Sequence, residues 1–523
     1  MFSSFINKLK NHINLLFGGK PFNLLIVVLV AFISYGGLIF SKSVNNDYCL
    51  ARYSDPLSLI QQNRGGRSLL AAVGLLDRDV PVWSDALGLV VLVFASFVFS
   101  FLWKEVSKGF FSEKSQIVFI AVFLSYPLAF EIMVYPTSLL TMGICYLITG
   151  SVLAIIFCTE LMPEKKSILF LSFCLSVPVS CYESFLFVYI LGLLLCVYII
   201  HMNPSSSLKE YRKQFVVSLF ILGLALAIRS ALILGIRLTH LDMYTLEPSL
   251  KYPNKDILWF SFNILLLIKN VTVNICRDYL YKGMAYFAIF VFDLSLCIFF
   301  IITFFQSLKQ KKVLSFILFF GIFFVLFGLS ILQGIAQIYR VCQTFPVFVA
   351  FVLMLFHSKC RHQWVSSVFV SIIVLFQMKE ICLWQDYDIE LSNRARQHLF
   401  AIERDLRQIP EIEKKDIIVL RGGDPRTSIF SSRIKIQDSM IFPPLIGLFN
   451  SDGENVSQGA GLLLQFQFCR LLKQNTGWHI KSSKDEELEA FLQANNIPSY
   501  PQQGYYFLDE EGRVIVNLMQ SMM

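Results

Sequence analysis

Between residues 42 and 83 the chain reads Lys42-Ser-Val-Asn-Asn-Asp47-Tyr48-Cys49-Leu-Ala-Arg52 and continues to Gln61-Gln62-Asn63-Arg64-Gly65-Gly66-Arg67. The carboxylate of Asp47 and the guanidiniums of Arg52, Arg64 and Arg67 stand here in a polar stretch. A carboxylate beside cations stays ionised. In that state Asp47 can take the proton from a sugar hydroxyl as the hydroxyl attacks an anomeric carbon. Arginine forks match phosphate oxygens and never lose their charge. Arg52, Arg64 and Arg67 are therefore suited to neutralising a phosphate that departs from a sugar, with Tyr48 beside the base. A lone Asp in a loop is equally at home in solvent. The arginine company is what favours a site.

Further groups of the same kind recur along the chain. Glu131 and Tyr135 stand in Tyr126-Pro127-Leu-Ala-Phe-Glu131-Ile-Met-Val-Tyr135-Pro136, and Tyr182-Glu183 in a short turn. Gln333, Gln337, Tyr339 and Arg340 stand in another. Residues 237–283 hold Arg237, Lys251, Lys255, Lys269, Arg277 and Lys282. That loop reads either as tolerated surface or as an anion site, where ammonium and guanidinium groups meet a lipid phosphate at headgroup depth.

What must position these groups is a membrane bundle. The 523 residues are 55% hydrophobic and 16% charged, against about 25% charged in soluble domains. Apolar runs of bilayer length recur. They fall at roughly 22–40, 84–103, 115–134, 137–158, 167–181, 184–202, 215–236, 284–305, 313–333, 341–357 and 364–383. The first lacks a small-residue cleavage site and reads as a retained span. The expected fold class is thus an α-helical polytopic membrane protein of about eleven transmembrane helices. Residues 1–21 form a cytoplasmic segment, 22–384 the membrane domain with outer loops 41–83 and 237–283, and 385–523 a small extracytoplasmic α/β domain.

The net charge of +8 follows from orientation rather than from nucleic-acid binding. Lys8, Lys10 and Lys20, then Lys104/Lys108/Lys114, Lys165/Lys166, Lys209/Arg212/Lys213, Lys309/Lys311/Lys312 and Lys359/Arg361 fall in alternate loops. All lie on one side if the N-terminus is cytoplasmic. Residues 256–275 would break that alternation if they crossed, so they read as an interfacial or re-entrant helix. With this threading the candidate residues above all face the compartment of Asp47.

Two charges fall well inside spans, Asp293 and Arg229. Each is costly in lipid, so both are expected to face the bundle interior, bridged through polar neighbours such as Ser230. In the tail, 386–408 reads as a charged amphipathic helix stopped near Pro410. Asp416–Leu420 reads as a buried strand, 484–495 as a helix, and 505–518 as a β-hairpin. Most of the 12 cysteines sit in apolar runs as small hydrophobes, with no C-x-x-C pair. The histidines are scattered without metal-ligand spacing. No Walker-type G-x-x-x-x-G-K-[ST] and no pair of corresponding broken spans is present, which argues against an ATPase and against an inverted-repeat carrier.

On Asp47, Arg52 and Gly66-Arg67, with Glu131 and Tyr135 after them, the chain resembles the serotype-converting O-antigen glucosyltransferases, membrane-embedded enzymes of the GT-C-like class. Tyr182-Glu183 stands where that family usually has Tyr-Gln, and Asn46 where it often has a second acid. The resemblance implies inverting transfer of glucose from undecaprenyl-phosphate glucose to lipopolysaccharide O-antigen, on the periplasmic face of the bacterial inner membrane. A donor synthase and a donor flippase are the implied partners. It implies Asp47 as base, and Arg67, Arg52 and Lys269 or Arg277 at the phosphate. Glu131 and Glu183 would orient acceptor hydroxyls, or hold a divalent cation if one is used. An O-antigen polymerase, or a flippase for lipid-linked polysaccharide, is the competing expectation.

Overall fold

The computed structural model describes residues 2–40, 81–127, 138–159, 164–203, 209–238, 268–269, 272–273, 287–310, 314–328, 331, 342–420, 476–483, 491–492, 495, 497–498 and 502–517. They divide into two units, with the break after Cys382.

The first unit is a bundle of apolar helices. In chain order these are α1 (Phe2–Phe17), α2 (Pro21–Phe40), α3 (Pro81–Val106), α4 (Glu113–Ser125), α5 (Ser138–Cys158) and α6 (Lys165–Cys181). α7 (Ser184–Met202), α8 (Arg212–Leu238), α9 (Phe287–Gln310), α10 (Leu314–Leu326), α11 (Thr344–Lys359) and α12 (Gln363–Leu406) follow. Seven helices among the described residues are long and apolar enough to cross a membrane: α2, α3, α5, α7, α8, α9 and the first half of α12. The protein is a helical polytopic membrane protein. Helices α4, α6, α10 and α11 have 13, 17, 13 and 16 residues and occupy the other four apolar runs.

Helix is what a chain must form where water cannot satisfy its backbone. Proline opens α2 and α3, at the position where a missing N–H costs nothing. Ser112 caps α4, its Oγ accepting from the Ser115 N–H, with Glu113 in the first turn. Hydroxyls inside the helices are satisfied locally: Thr149, Ser172 and Ser295 donate to the carbonyls of Cys145, Ile168 and Val291.

Small residues let backbones approach. A Cβ on Gly88 of α3 would lie 2.6 Å from the Leu140 nitrogen of α5, and one on Gly143 of α5 would lie 3.1 Å from the Gly88 carbonyl oxygen. This is the close helix contact that association in lipid favours. Aromatics fill the interior beside it, with Trp103 edge-on to Phe351 and Phe123 edge-on to Tyr146. Cys145 on α5 and Cys181 on α6 lie close to each other, and both are buried.

The basic helix ends gather at one end of this bundle. Lys20 pairs with Glu113, and Lys8 donates to the Cys158 carbonyl at 3.1 Å. Lys108 pairs with Glu210 at 3.2 Å, and the Asn203 amide donates to the Ser107 carbonyl. Lys359 lies over the Phe110 ring at 4.7 Å. Just inside, His357 hydrogen-bonds Ser115 at 3.0 Å and Ser367 at 3.1 Å, tying α11 to α4 and α12. His357 is therefore a buried structural histidine and not a scattered loop residue. α1 packs on the same end through Phe5, Leu9, His12 and Leu16. Their spacing of four, three and four makes one helical stripe.

The second unit begins within α12. The sequence suggests two helices, 364–383 and 386–408, but α12 is one helix of 44 residues. It contains neither Gly nor Pro, so nothing local breaks it when its composition turns polar. Among the described residues four strands follow: β1 (Asp416–Leu420), β2 (His479–Ser483), β3 (Tyr506–Leu508) and β4 (Val514–Asn517), in the order β2-β1-β4-β3. β1 is parallel to β2 and β4, and β3 closes an antiparallel hairpin with β4. Leu399, Ile402 and Leu406 of α12 pack with Ile417, Val419, Val514 and Val516 on one face. Leu492 packs with Ile515 on the other. The hairpin turn is clasped by Asp509, which accepts from the Glu511 and Arg513 N–H groups and from the Arg513 side chain. Burial opposes the charge of Asp509, but these contacts hold its carboxyl below the usual range. β1 and the hairpin stand where the sequence places strands. β2 has no such signal, because its polar run His-Ile-Lys-Ser-Ser lacks the apolar pattern of a buried strand.

Candidate functional site

At the bundle end opposite the basic loops, the helix ends are joined by buried polar groups. Ser125, the last residue of α4, donates to Gln377 Oε1 of α12 at 2.8 Å. Tyr126, next in the chain, donates its phenol to the Ala288 carbonyl at the start of α9 at 2.9 Å. The Ala288 N–H in turn donates to Glu380 Oε2 at 3.1 Å. Glu380, Gln377, Ser125 and Tyr126 are all buried. Glu380 answers an N–H of the first turn of α9, one of the orphan donors that lipid cannot satisfy.

Asp293 belongs to this group. It lies within electrostatic range of Tyr126, as do Glu380 and Cys342. It stands six residues beyond Phe287 on α9, about 9 Å along the helix and shallower than the sequence suggests. Its residue surface is 8% exposed, and neither carboxyl oxygen has a hydrogen-bond partner among the described residues. Gln377 Nε2 is likewise buried without an acceptor. A buried carboxylate with no partner costs several kcal/mol. An unused acceptor pair on α9 and an unused donor on α12 are thus both buried in this part of the bundle. Beside them Phe292 stacks on Phe345 of α11, ring centroids 3.8 Å apart. The phenol of Tyr146 donates to Gln343 at the start of α11.

Two of the expected site residues flank this end. Tyr182 caps the C-terminus of α6, and its N–H donates to the Pro178 carbonyl. Glu183 follows as the exposed residue before α7 and pairs with Arg229 of α8 at 2.8 Å. This corrects the bridge expected between Arg229 and Asp293. The guanidinium answers Glu183, and Asp293 stands apart. Lys269 is exposed. Asp47, Tyr48, Arg52, Arg64, Arg67, Glu131, Tyr135, Arg277 and Arg340 lie outside the described residues, as does most of 256–275. Among the described residues no group of three His, Cys, Asp or Glu side chains could hold a metal ion.

No protein-family model, curated protein or solved structure matches the chain.

Glu380 and Gln377 are the members that reading the sequence missed. The signal was present: an acid and an amide on one face of the last apolar run, three residues apart. It was hidden by Lys379, which is exposed and makes the run look like an ordinary helix end.

Proposed function

We propose that the chain is a glycosyltransferase of the bacterial inner membrane, moving glucose from undecaprenyl-phosphate glucose to a hydroxyl of lipopolysaccharide O-antigen on the periplasmic face. The helices then make eleven crossings, with the N-terminus cytoplasmic and the C-terminal unit periplasmic. The observation that carries this reading is the sorting of helix ends. The lysine-rich ends meet at one end of the bundle through Lys20–Glu113 and Lys108–Glu210, the side that the positive-inside tendency assigns to the cytoplasm. The helices that lead into the stretches bearing Asp47 and Glu131, α2 and α4, start at that end and run away from it, which supports reading those stretches as outer ones.

In this reading Asp47 accepts the proton of the attacking O-antigen hydroxyl while the C–O bond to phosphate breaks with inversion. Arg52, Arg67 and Lys269 or Arg277 take up the charge on the departing undecaprenyl phosphate. Tyr48, Tyr135, Tyr182 and Arg340 line the sugar and phosphate path, and Glu131 and Glu183 orient acceptor hydroxyls. The donor forms on the cytoplasmic face and is supplied by a synthase and a flippase.

Asp47→Asn tests it. Membranes carrying this variant at parental protein level are expected to lose transfer of radiolabelled glucose from the polyprenyl phosphate to purified O-antigen. Transfer at the parental rate would refute the base. A flippase or polymerase that needs no positioned carboxylate predicts that silent result.

A further inference from the structure

We infer that Asp293 and Gln377 form a binding site for a neutral, hydroxyl-bearing group, the hexose ring of a glycan or glycolipid, where the end of α4 and the start of α9 meet the middle of α12. The inference deepens the transferase reading and rests on it for the identity of the sugar.

The chemistry of the unused groups selects the ligand. Asp293 offers two oxygens with no donor, and Gln377 offers an N–H with no acceptor, both buried. A hexose presents vicinal hydroxyls that donate to a carboxylate and accept from an amide at once. The other polar members are already engaged: Ser125 with Gln377, Tyr126 with Ala288, and Glu380 with the Ala288 N–H. They form a fixed frame and leave Asp293 and Gln377 as the open positions. No Lys or Arg is paired into this group among the described residues. Arg229 is held by Glu183, and Lys379 is exposed. A phosphate would therefore find no cation here to take up its charge, and is disfavoured. The sugar and the phosphate of one donor thus call for different places, acids for the ring and the outer-loop arginines for the phosphate. The Phe292–Phe345 stack beside the acid supplies the apolar surface that the carbon face of a sugar ring needs.

The experiment is direct binding, with no turnover required. The full chain in nanodiscs is titrated with a short-chain polyprenyl phosphoglucose, with the same polyprenyl phosphate lacking glucose, and with purified O-antigen oligosaccharide. Parental protein is expected to prefer one of the two sugar-bearing probes over the bare phosphate by about 10-fold or more, the value of a charge-assisted hydrogen bond. Asp293→Asn and Gln377→Leu are each expected to erase that preference while the bare phosphate binds as before; thermal unfolding is no lower for Asp293→Asn, whereas Gln377→Leu also loses the bond from Ser125 and melts earlier. The probe whose preference is lost tells whether the ring belongs to donor or acceptor. Unchanged preference in both variants overturns the site. So does a rise in thermal stability with sodium that requires Asp293 and occurs without any sugar effect, which would make it a cation site. Sugar bound through Asp293 with no glucose transferred would sink the transferase reading and keep the site. Full transfer by both variants with unaltered sugar preference would do the reverse.

Discussion

The pairing of Glu183 with Arg229 separates two roles that one residue can hold. Arg229 lies within α8, whose apolar span is largely exposed to the surroundings, and its charge in lipid costs about 2.5–3.5 kcal/mol at mid-depth and less toward the rim. Glu183 is half-exposed, so the pair itself is worth about 1 kcal/mol or less. Glu183→Ala is expected to lower the thermal midpoint modestly. Adding Arg229→Leu should recover it, because no charge is then left uncompensated. If Glu183 also orients the acceptor, the double variant regains stability in a detergent melt but not transfer, and a return of both would leave Glu183 a purely structural residue. At this scale the sequence showed which residues are costly in a membrane, Asp293 and Arg229 among them. It did not show who meets whom. The nearest in-span acid to Arg229 by inspection was Asp293, and the actual partner lies in the turn before α7, forty-six positions away along the chain.

Helix contacts carry the next set of expectations. Gly88 has no room for a side chain, since a Cβ would lie 2.6 Å from a backbone nitrogen of α5. Gly88→Val is expected to push α3 from α5 and cost about 2–4 kcal/mol, read as a fall in the thermal midpoint with loss of the monodisperse peak. A parental melt would show that the contact can open without penalty. The docking of α1 should depend on pH through His12. Burial, and then the nearby charge of Lys104, bring its pKa down to about 3. The detached helix has the ordinary value near 6.5. Docking is then fully favourable above about 6.5 and weakens as pH falls toward 3, by up to about 1.4 kcal/mol per pH unit. His12→Leu should remove this slope in amide exchange of α1 between pH 7 and 4, and an unchanged slope would place the titrating group elsewhere. Most of these elements were legible as apolar runs. The exceptions have physical reasons. α1 is short and half polar, and its stripe of four buried residues is visible only against a partner. α12 was divided in two at a change of composition, though no residue there breaks a helix.

For the molecule as a whole, the arrangement of ends makes a simple demand. Single cysteines replacing Lys108, Lys209 or Arg361, in a background without reactive native thiols, should react with an impermeant maleimide only after the membrane is opened. A cysteine replacing Asp47, or one placed in the hairpin turn at Glu510, should react in intact spheroplasts. Labelling of positions 47 and 510 from different sides would end the proposed threading and the transferase reading with it. The proposed threading rests on charge in the loops, where each basic cluster is local and needs no knowledge of packing. The polar group under the opposite end was not readable in the same way, since Ser125, Ala288, Asp293, Gln377 and Glu380 come from three helices and only folding brings them together. The wall of the bundle also carries its own gauge of integrity. Cys145 and Cys181 face each other where water-borne alkylating agents do not reach, so these sulfurs should stay silent until α5 and α6 part. The onset of their alkylation along a denaturant series would then report the parting of these two helices without any introduced label.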